Sequence, residues 1–378
     1  MTLPPRRVLV TADAVGGVWT HALELARGLG ERDVEVLLAV LGPAPDEGRR
    51  AEAAGVPGLR VEATGLPLEW QDRAGPLPCE ARRTLLALER GFRPDLVHAN
   101  GYREAAAGFA APVLVGAHSC VRTWWRACRG GEPPADEWGA YERGVREGLA
   151  AAGLLVAPTQ AFLEEFRGAW GRLPPAPRVV PNGLDLPPAP AIPKRPFVLA
   201  AGRLWDEAKG VAALAEAAPG LPWPVLVAGD GPSGEGVRHL GRLPPAELRA
   251  LMAEAAVFAA PARYEPFGLA ILEAAASGCA LVLGDVPTLR ELWGGAARFV
   301  SRNEPGALAG ALLGLTGDEA ERERLGAAAR EQARAFARGR MVEGYLEVYA
   351  ELVGGGVLAP SPAIAGEGAR AAPVAAAA

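Results

Sequence analysis

Arg263-Tyr264-Glu265-Pro266-Phe267-Gly268-Leu269-Ala270-Ile271-Leu272-Glu273 follows directly on the apolar run Val257 to Ala260. Four apolar residues make a strand-length run. Pro266 and Gly268 stop it and free the backbone, and a helical pattern begins at Leu269. Strand, loop and helix in that order form the repeating unit of a parallel α/β sheet, where ligands sit beyond the carboxyl ends of the strands. The loop therefore stands where a ligand would. The amides around Gly268 and Leu269, at the start of a helix, point outward as a ready anion site.

The same grammar extends in both directions. Upstream, strands are expected at Arg7 to Thr11, Val34 to Val40, Leu59 to Glu62, Leu96 to Ala99, Val113 to Ala117, Leu154 to Ala157 and Arg178 to Pro181. Around the opening stretch they are expected at Phe197 to Ala201, Val225 to Ala228, Val257 to Ala260, Ala280 to Leu283 and Arg298 to Val300. Between the two sets lie prolines 187, 188, 190, 193 and 196, which neither a helix nor a central strand tolerates. The expected class is α/β with two Rossmann-like, doubly wound domains: residues 1–183, a linker at 184–196, and residues 197–335. A helix at 336–353, set off by a break near Phe336 to Gly339, is expected to pack across the lobes. The Gly, Ala and Pro of 354–378 read as a disordered tail.

Bulk properties narrow the field. A chain of 378 residues suits two domains, and 50% hydrophobic with 22% charged residues is ordinary for a globular protein. The net charge of −5 gives no reason to expect a nucleic-acid partner. Cys79, Cys120, Cys128 and Cys279 lack metal-site spacing and are expected as free thiols. Arg6-Arg7 precedes only a short apolar run and no stretch approaches membrane-spanning length, so the chain reads as cytoplasmic, with peripheral membrane contact left open. Of 39 basic residues only Lys194 and Lys209 are lysines, so a retained ammonium is informative.

Three loops carry the chemistry. Gly16-Gly17, after the first strand, lets backbone amides approach an anion at a helix start, or else forms a tight turn. Gly202-Arg203-Leu204-Trp205-Asp206-Glu207-Ala208-Lys209-Gly210 sets two cations in a strand-end loop, suited to two phosphates, although Asp206 and Glu207 also fit a solvated loop. Glu265 and Glu273 face roughly the same mouth. Eight residues of helix would separate them by about 12 Å, far from the roughly 5 Å of a retaining glycosidase pair. Carboxylates in such a site suit sugar or ribose hydroxyls instead.

Glu265 to Glu273 resembles the E-x7-E motif of the retaining GT-B glycosyltransferases grouped as family four. The similarity continues through Gly16-Gly17, Gly116-Ala117-His118-Ser119, Pro181-Asn182-Gly183, the loop from Gly202 to Gly210, Gly229-Asp230-Gly231 and Leu240-Gly241-Arg242, covering about residues 6 to 353. The resemblance implies two lobes facing a central cleft that holds a nucleotide-diphosphate sugar. Arg203 and Lys209 would bind the diphosphate, Glu273 the ribose and Glu265 the transferred sugar. Backbone near Arg242 and Leu243 would meet the base, and His118 would face the sugar. Gly16, Gly17, Phe267, Gly268 and Leu269 complete the expected donor site. In one departure, Arg203 and Lys209 are six apart where the family's commonest loop has five.

The activity implied is transfer of a sugar from a UDP-, GDP- or ADP-linked donor to an acceptor hydroxyl with the anomeric configuration retained, without metal or cofactor. The rivals are a sugar-nucleotide epimerase and a catalytically silent sugar-nucleotide binding protein. The acceptor, whether a sugar, a lipid-linked or a small molecule, is not legible. Trp124-Trp125-Arg126 suits core packing, acceptor binding or a membrane interface, and His98 reads as structural.

Overall fold

The computed structural model describes residues 5–72, 75–186, 192–304 and 306–355. Residues 187–191 of the expected linker and 356–378 of the expected tail lie outside these. The amino-terminal sheet contains β1 (Arg7–Asp13), β2 (Glu35–Leu41), β3 (Leu59–Ala63), β4 (Leu96–Ala99), β5 (Val113–Gly116), β6 (Leu154–Ala157) and β7 (Arg178–Val179). The second contains β8 (Arg195–Ala201), β9 (Val225–Ala228), β10 (Arg238–Gly241), β11 (Ala255–Ala260), β12 (Ala280–Gly284) and β13 (Ala297–Val300).

Both sheets are wholly parallel among the described residues, with orders β3-β2-β1-β4-β5-β6-β7 and β10-β9-β8-β11-β12-β13. Each is covered by helices on both faces, so its central strands are continuous apolar runs such as Leu281, Val282 and Leu283, all fully buried. Each reverses its winding once, between β1 and β4 and between β8 and β11. Those reversals open crevices at the carboxyl ends of the strands, and the two crevices face one another.

Some boundaries differ from the sequence expectation. Strand β8 starts at Arg195, so Pro196 belongs to it rather than to a linker. Its ladder with β9 begins only at Val198, before which no proline N–H is required. Strand β7 ends at Val179, short of Pro181. The edge strand β10 was not anticipated because Arg238 and His239 interrupt its apolar pattern.

After the Glu319–Ala333 helix and a single turn at Arg334–Phe336, the chain crosses back and the Arg338–Gly354 helix packs on the amino-terminal lobe. Met341, Val342, Tyr345, Val348 and Tyr349 are buried in the same core as Trp19, Leu25 and Leu29 of the Gly17–Gly30 helix. That helix is buried on two sides, by the sheet and by its carboxy-terminal partner. At the crossing, Leu184 pairs with Ala337: Leu184 N–H donates to Phe336 O at 3.1 Å and Arg338 N–H donates to Leu184 O at 2.7 Å. The Arg338 guanidinium reaches Glu24 at 3.3 Å and Glu31 at 3.0 Å.

Tyr349 is fully buried and its hydroxyl lies 2.8 Å from His98 Nδ1. We predict that Tyr349→Ala removes about 3–5 kcal/mol from the stability of the amino-terminal lobe, as large aromatic truncations do. Leu313→Ala, at a position 52% exposed, should change it by less than about 0.5 kcal/mol. Denaturant unfolding of both variants checks this, and equal effects would refute the packing assignment.

Candidate active site

The opposed crevices form a cleft of about 920 Å³ lined from both lobes, joined to a smaller one of about 480 Å³. Arg203 and Trp205 line both and stand at their junction. Every contributing loop follows a strand: Asp13 to Gly17 after β1, Asn100 after β4, His118 after β5, Gly202 to Lys209 after β8, and Arg263 to Gly268 after β11.

Arg203 is held rather than loose. Its Nη2 donates to Asp206 Oδ2 at 2.9 Å, and its Cζ lies 5.5 Å from the centre of the Trp205 ring. Asp206 is buried. Its other oxygen accepts from Ala208 N at 3.1 Å and, across the cleft, from Trp124 Nε1 at 3.0 Å. Burial pushes the Asp206 carboxyl up, but the bonds from Arg203 and Trp124 outweigh it and hold the group below its ordinary range. Lys209 closes a short turn at Glu207–Lys209, and its Nζ meets Glu265 Oε2 at 2.6 Å. The structure thus brings Arg203, Lys209 and Glu265 into one cleft. The helix start at Gly268-Leu269 lines it too, with Gly268 at φ +88° and Phe267 beneath in the core.

Gly16 and Gly17 line the cleft, and the tight-turn alternative describes Gly16. The amides of Val15 and Gly16 donate to Asp13 Oδ1 at 2.8 and 3.2 Å, so the Gly16 N–H is already engaged. The glycine serves a close approach instead. A β-carbon at Gly16 would stand 2.8 Å from Arg203 Nη1, and one at Gly17 would touch Leu269 at 3.5 Å.

Glu273 departs from the expectation. It lines neither cavity: one turn inside its helix, it neighbours Arg249 and Glu24, and burial raises its carboxyl to about 6, with Arg249 opposing and Glu24 adding to the rise. Arg242 and Leu243 line the smaller cavity, where Arg242 Nη2 lies 3.4 Å from Asp46 Oδ2 of the opposite lobe.

His118 lines the cleft, its Nε2 2.7 Å from Asn100 Oδ1. The Asn100 amide nitrogen is committed to Thr11 O at 2.8 Å, so its oxygen faces the ring and the proton sits on His118 Nε2. Behind it lie His21, with ring centres 4.5 Å apart, and the fully buried His98. Burial lowers His118 to about 4; burial and then His118 lower His98 to about 3. All three rings are neutral near pH 7.

The tryptophan pair belongs to the cleft, Trp124 through its Asp206 bond and Trp125 by edge contact with Trp138, with ring centres 6.4 Å apart. Both tryptophans are half-buried and pack against the amino-terminal core. Lys194 is structural, donating to Met252 O and Ser277 O at 3.1 and 2.8 Å. The four cysteines are free. Among the described residues no helix is long and apolar enough to cross a membrane. Sequence reasoning missed Asp206, Trp205, Glu69 and Glu104 as cleft residues. For Asp206 a signal existed, an aspartate two residues before an amide it caps.

Two parallel-sheet α/β lobes with their strand-end loops opposed across a shared cleft define the GT-B architecture. Comparison with known proteins agrees. The Glycosyltransferase Family 4 model matches residues 15–187 and the Glycosyl transferases group 1 model residues 195–318. A D-inositol 3-phosphate glycosyltransferase of Xylanimonas cellulosilytica is 30% identical over 398 residues, covering 90% of this chain and 93% of that one. Sucrose-phosphate synthase from Thermosynechococcus elongatus has the same fold, with a TM-score of 0.73 at 19% identity over 93% of this chain and 100% of that one. Anabaena HepE, solved in complex with UDP-glucose, gives 0.71 at 20% identity over 92% and 100%. The chain belongs to the group 1, family 4 glycosyltransferases and is a glycosyltransferase.

The buried histidines set an acid limit. The unfolded chain takes up a proton at His98 near pH 6.5 but the folded one only near 3, so stability is fully present above 6.5 and is lost as pH falls through that window. We predict that His98→Gln, although less stable at pH 7, loses less stability on acidification, by about 1 kcal/mol per pH unit between 6 and 4. Unfolding curves across that range check this, and parallel slopes for the two proteins would refute it.

Proposed function

We propose that the enzyme transfers a sugar from a nucleotide-diphosphate sugar to an acceptor hydroxyl, retaining the anomeric configuration, with no divalent metal or further cofactor required. The observation that carries this reading is Arg203 at the junction of the two cavities, with Lys209 nearby. A diphosphate placed there would send its nucleoside into the smaller cavity beside Arg242 and Leu243, and its sugar into the larger one beside Glu265 and His118. The UDP-glucose bound by the HepE structure makes UDP the first nucleotide to test.

The chemistry follows from where charge develops. As the glycosidic bond to the β-phosphate breaks, negative charge grows on the departing diphosphate, and Arg203, Lys209 and the amides at Gly268 and Leu269 stabilise it. Asp206 fixes the guanidinium beforehand, which limits reorganisation during the step. Lys209 has three donors and can serve a phosphate while keeping Glu265. Glu265 then accepts sugar hydroxyls, and neutral His118 offers Nδ1 as a further acceptor. Glu265 is engaged by Lys209 and is no free nucleophile, which favours attack by the acceptor from the face the diphosphate leaves.

Arg203→Ala should lower kcat by about 10²–10³, the usual cost of one preorganised donor to a developing oxyanion. The wild-type product should keep the donor's anomeric configuration by NMR, and excess chelator should leave the rate unchanged. An Arg203→Ala variant with undiminished kcat, an inverted product or a chelator-sensitive rate would each overturn the corresponding element.

A further inference from the structure

The amino-terminal end of the large cleft has a charge pattern that donor binding does not use. Three cations line the cleft among the described residues, and each is already engaged: Arg203 with Asp206, Lys209 with Glu265, and Arg129 with Glu207 at 2.9 Å. All three sit at the carboxy-terminal lobe or bond to it. The opposite wall carries Asp13, Glu69, Glu104 and Glu137. Glu69 is 8% exposed and accepts from the amides of Tyr102 at 3.3 Å and Arg103 at 2.9 Å. The Arg103 guanidinium does not line the cleft and is bound by Asp72, at 2.7 and 2.8 Å.

Glu104 is the informative member. It is 3% exposed, lines the cleft, and its Oε2 has no hydrogen-bond partner among the described residues. A buried, unpartnered carboxylate oxygen costs roughly 1–3 kcal/mol or more. That cost is relieved when a donor arrives, above all a charged one. Burial and then Glu104 push the Glu69 carboxyl up to about 8, and the Arg103 guanidinium, which acts on both acids, offsets this only in part; the two acids crowd one another. Trp70 and Trp138 line the same end and supply apolar faces.

We propose that this end of the cleft binds an acceptor that is hydroxyl-rich and carries an ammonium group, the ammonium being received by Glu104 with Glu69. A phosphate-bearing acceptor is disfavoured: it would face four acidic side chains and, among the described residues that line the cleft, no uncommitted cation. The inference rests on the reading of the cleft as a glycosyltransferase site, but the two can fail separately.

The test uses three ligands sharing one ring: scyllo-inosamine, scyllo-inositol and D-inositol 3-phosphate. Calorimetry on the full chain, with and without UDP, should show the amine binding at least about tenfold tighter than the uncharged ring, the size of one charge-assisted hydrogen bond, with the phosphate weakest. Glu104→Gln should reduce the amine's advantage to near parity while UDP affinity is unchanged. Tighter binding of the phosphate, parity of amine and inositol in the wild type, or an undiminished preference in Glu104→Gln would overturn the proposal. Failure of UDP to bind while the amine preference holds would count against UDP as the donor nucleotide alone. The ranking in the unmutated protein keeps the test decisive even if the variant folds poorly.

Discussion

Asp206 holds the cleft together. One carboxylate accepts from the arginine at the junction of the two cavities, from the backbone of its own turn and from a tryptophan of the opposite lobe. A single buried anion thus sets the direction of the cation and the spacing of the lobes at once. Tyr264, in the sequence that opens the second lobe's central loop, repeats the pattern. It is buried in the amino-terminal core, and its hydroxyl lies 2.7 Å from Thr123 Oγ1. The site is a joint product of the lobes, and neither would present it alone.

This interdependence explains what was legible in the sequence. Strands such as Leu154–Ala157 and Ala280–Gly284 stood out because burial on both faces makes their apolar runs uninterrupted. Arg203, Lys209 and Glu265 were legible because the position following a strand is fixed by the fold. Their meeting in one cleft needs no more than the strand order to explain it.

What escaped the sequence depends on partners far along the chain. The engagement of Gly16 by Asp13 is local, yet its purpose, clearance for Arg203, involves the other lobe. Glu273 was expected at the mouth because helical spacing gives a residue's height and face but not the neighbours it turns to, and Arg249 and Glu24 come from two other helices. Glu69 and Glu104 lie in segments with no motif, and only the packing of the Arg103–Ala107 turn brings them to one wall. The histidines show the same limit. Four were visible, but the neutral cluster that three of them form beside Asn100 was not.

The return of the carboxy-terminal helix to the first lobe has a consequence for biosynthesis. The ribosome delivers the amino-terminal sheet early, but Met341, Val342, Tyr345, Val348 and Tyr349, which seal one face of its core, emerge only after both sheets have been synthesised. Until then the nascent first lobe carries an open apolar face, and the usual vectorial order, in which the leading domain folds to completion first, is denied to this chain. Completion of the first half waits on synthesis of the second, so a polypeptide cut short before Met341 leaves both halves without a finished protein.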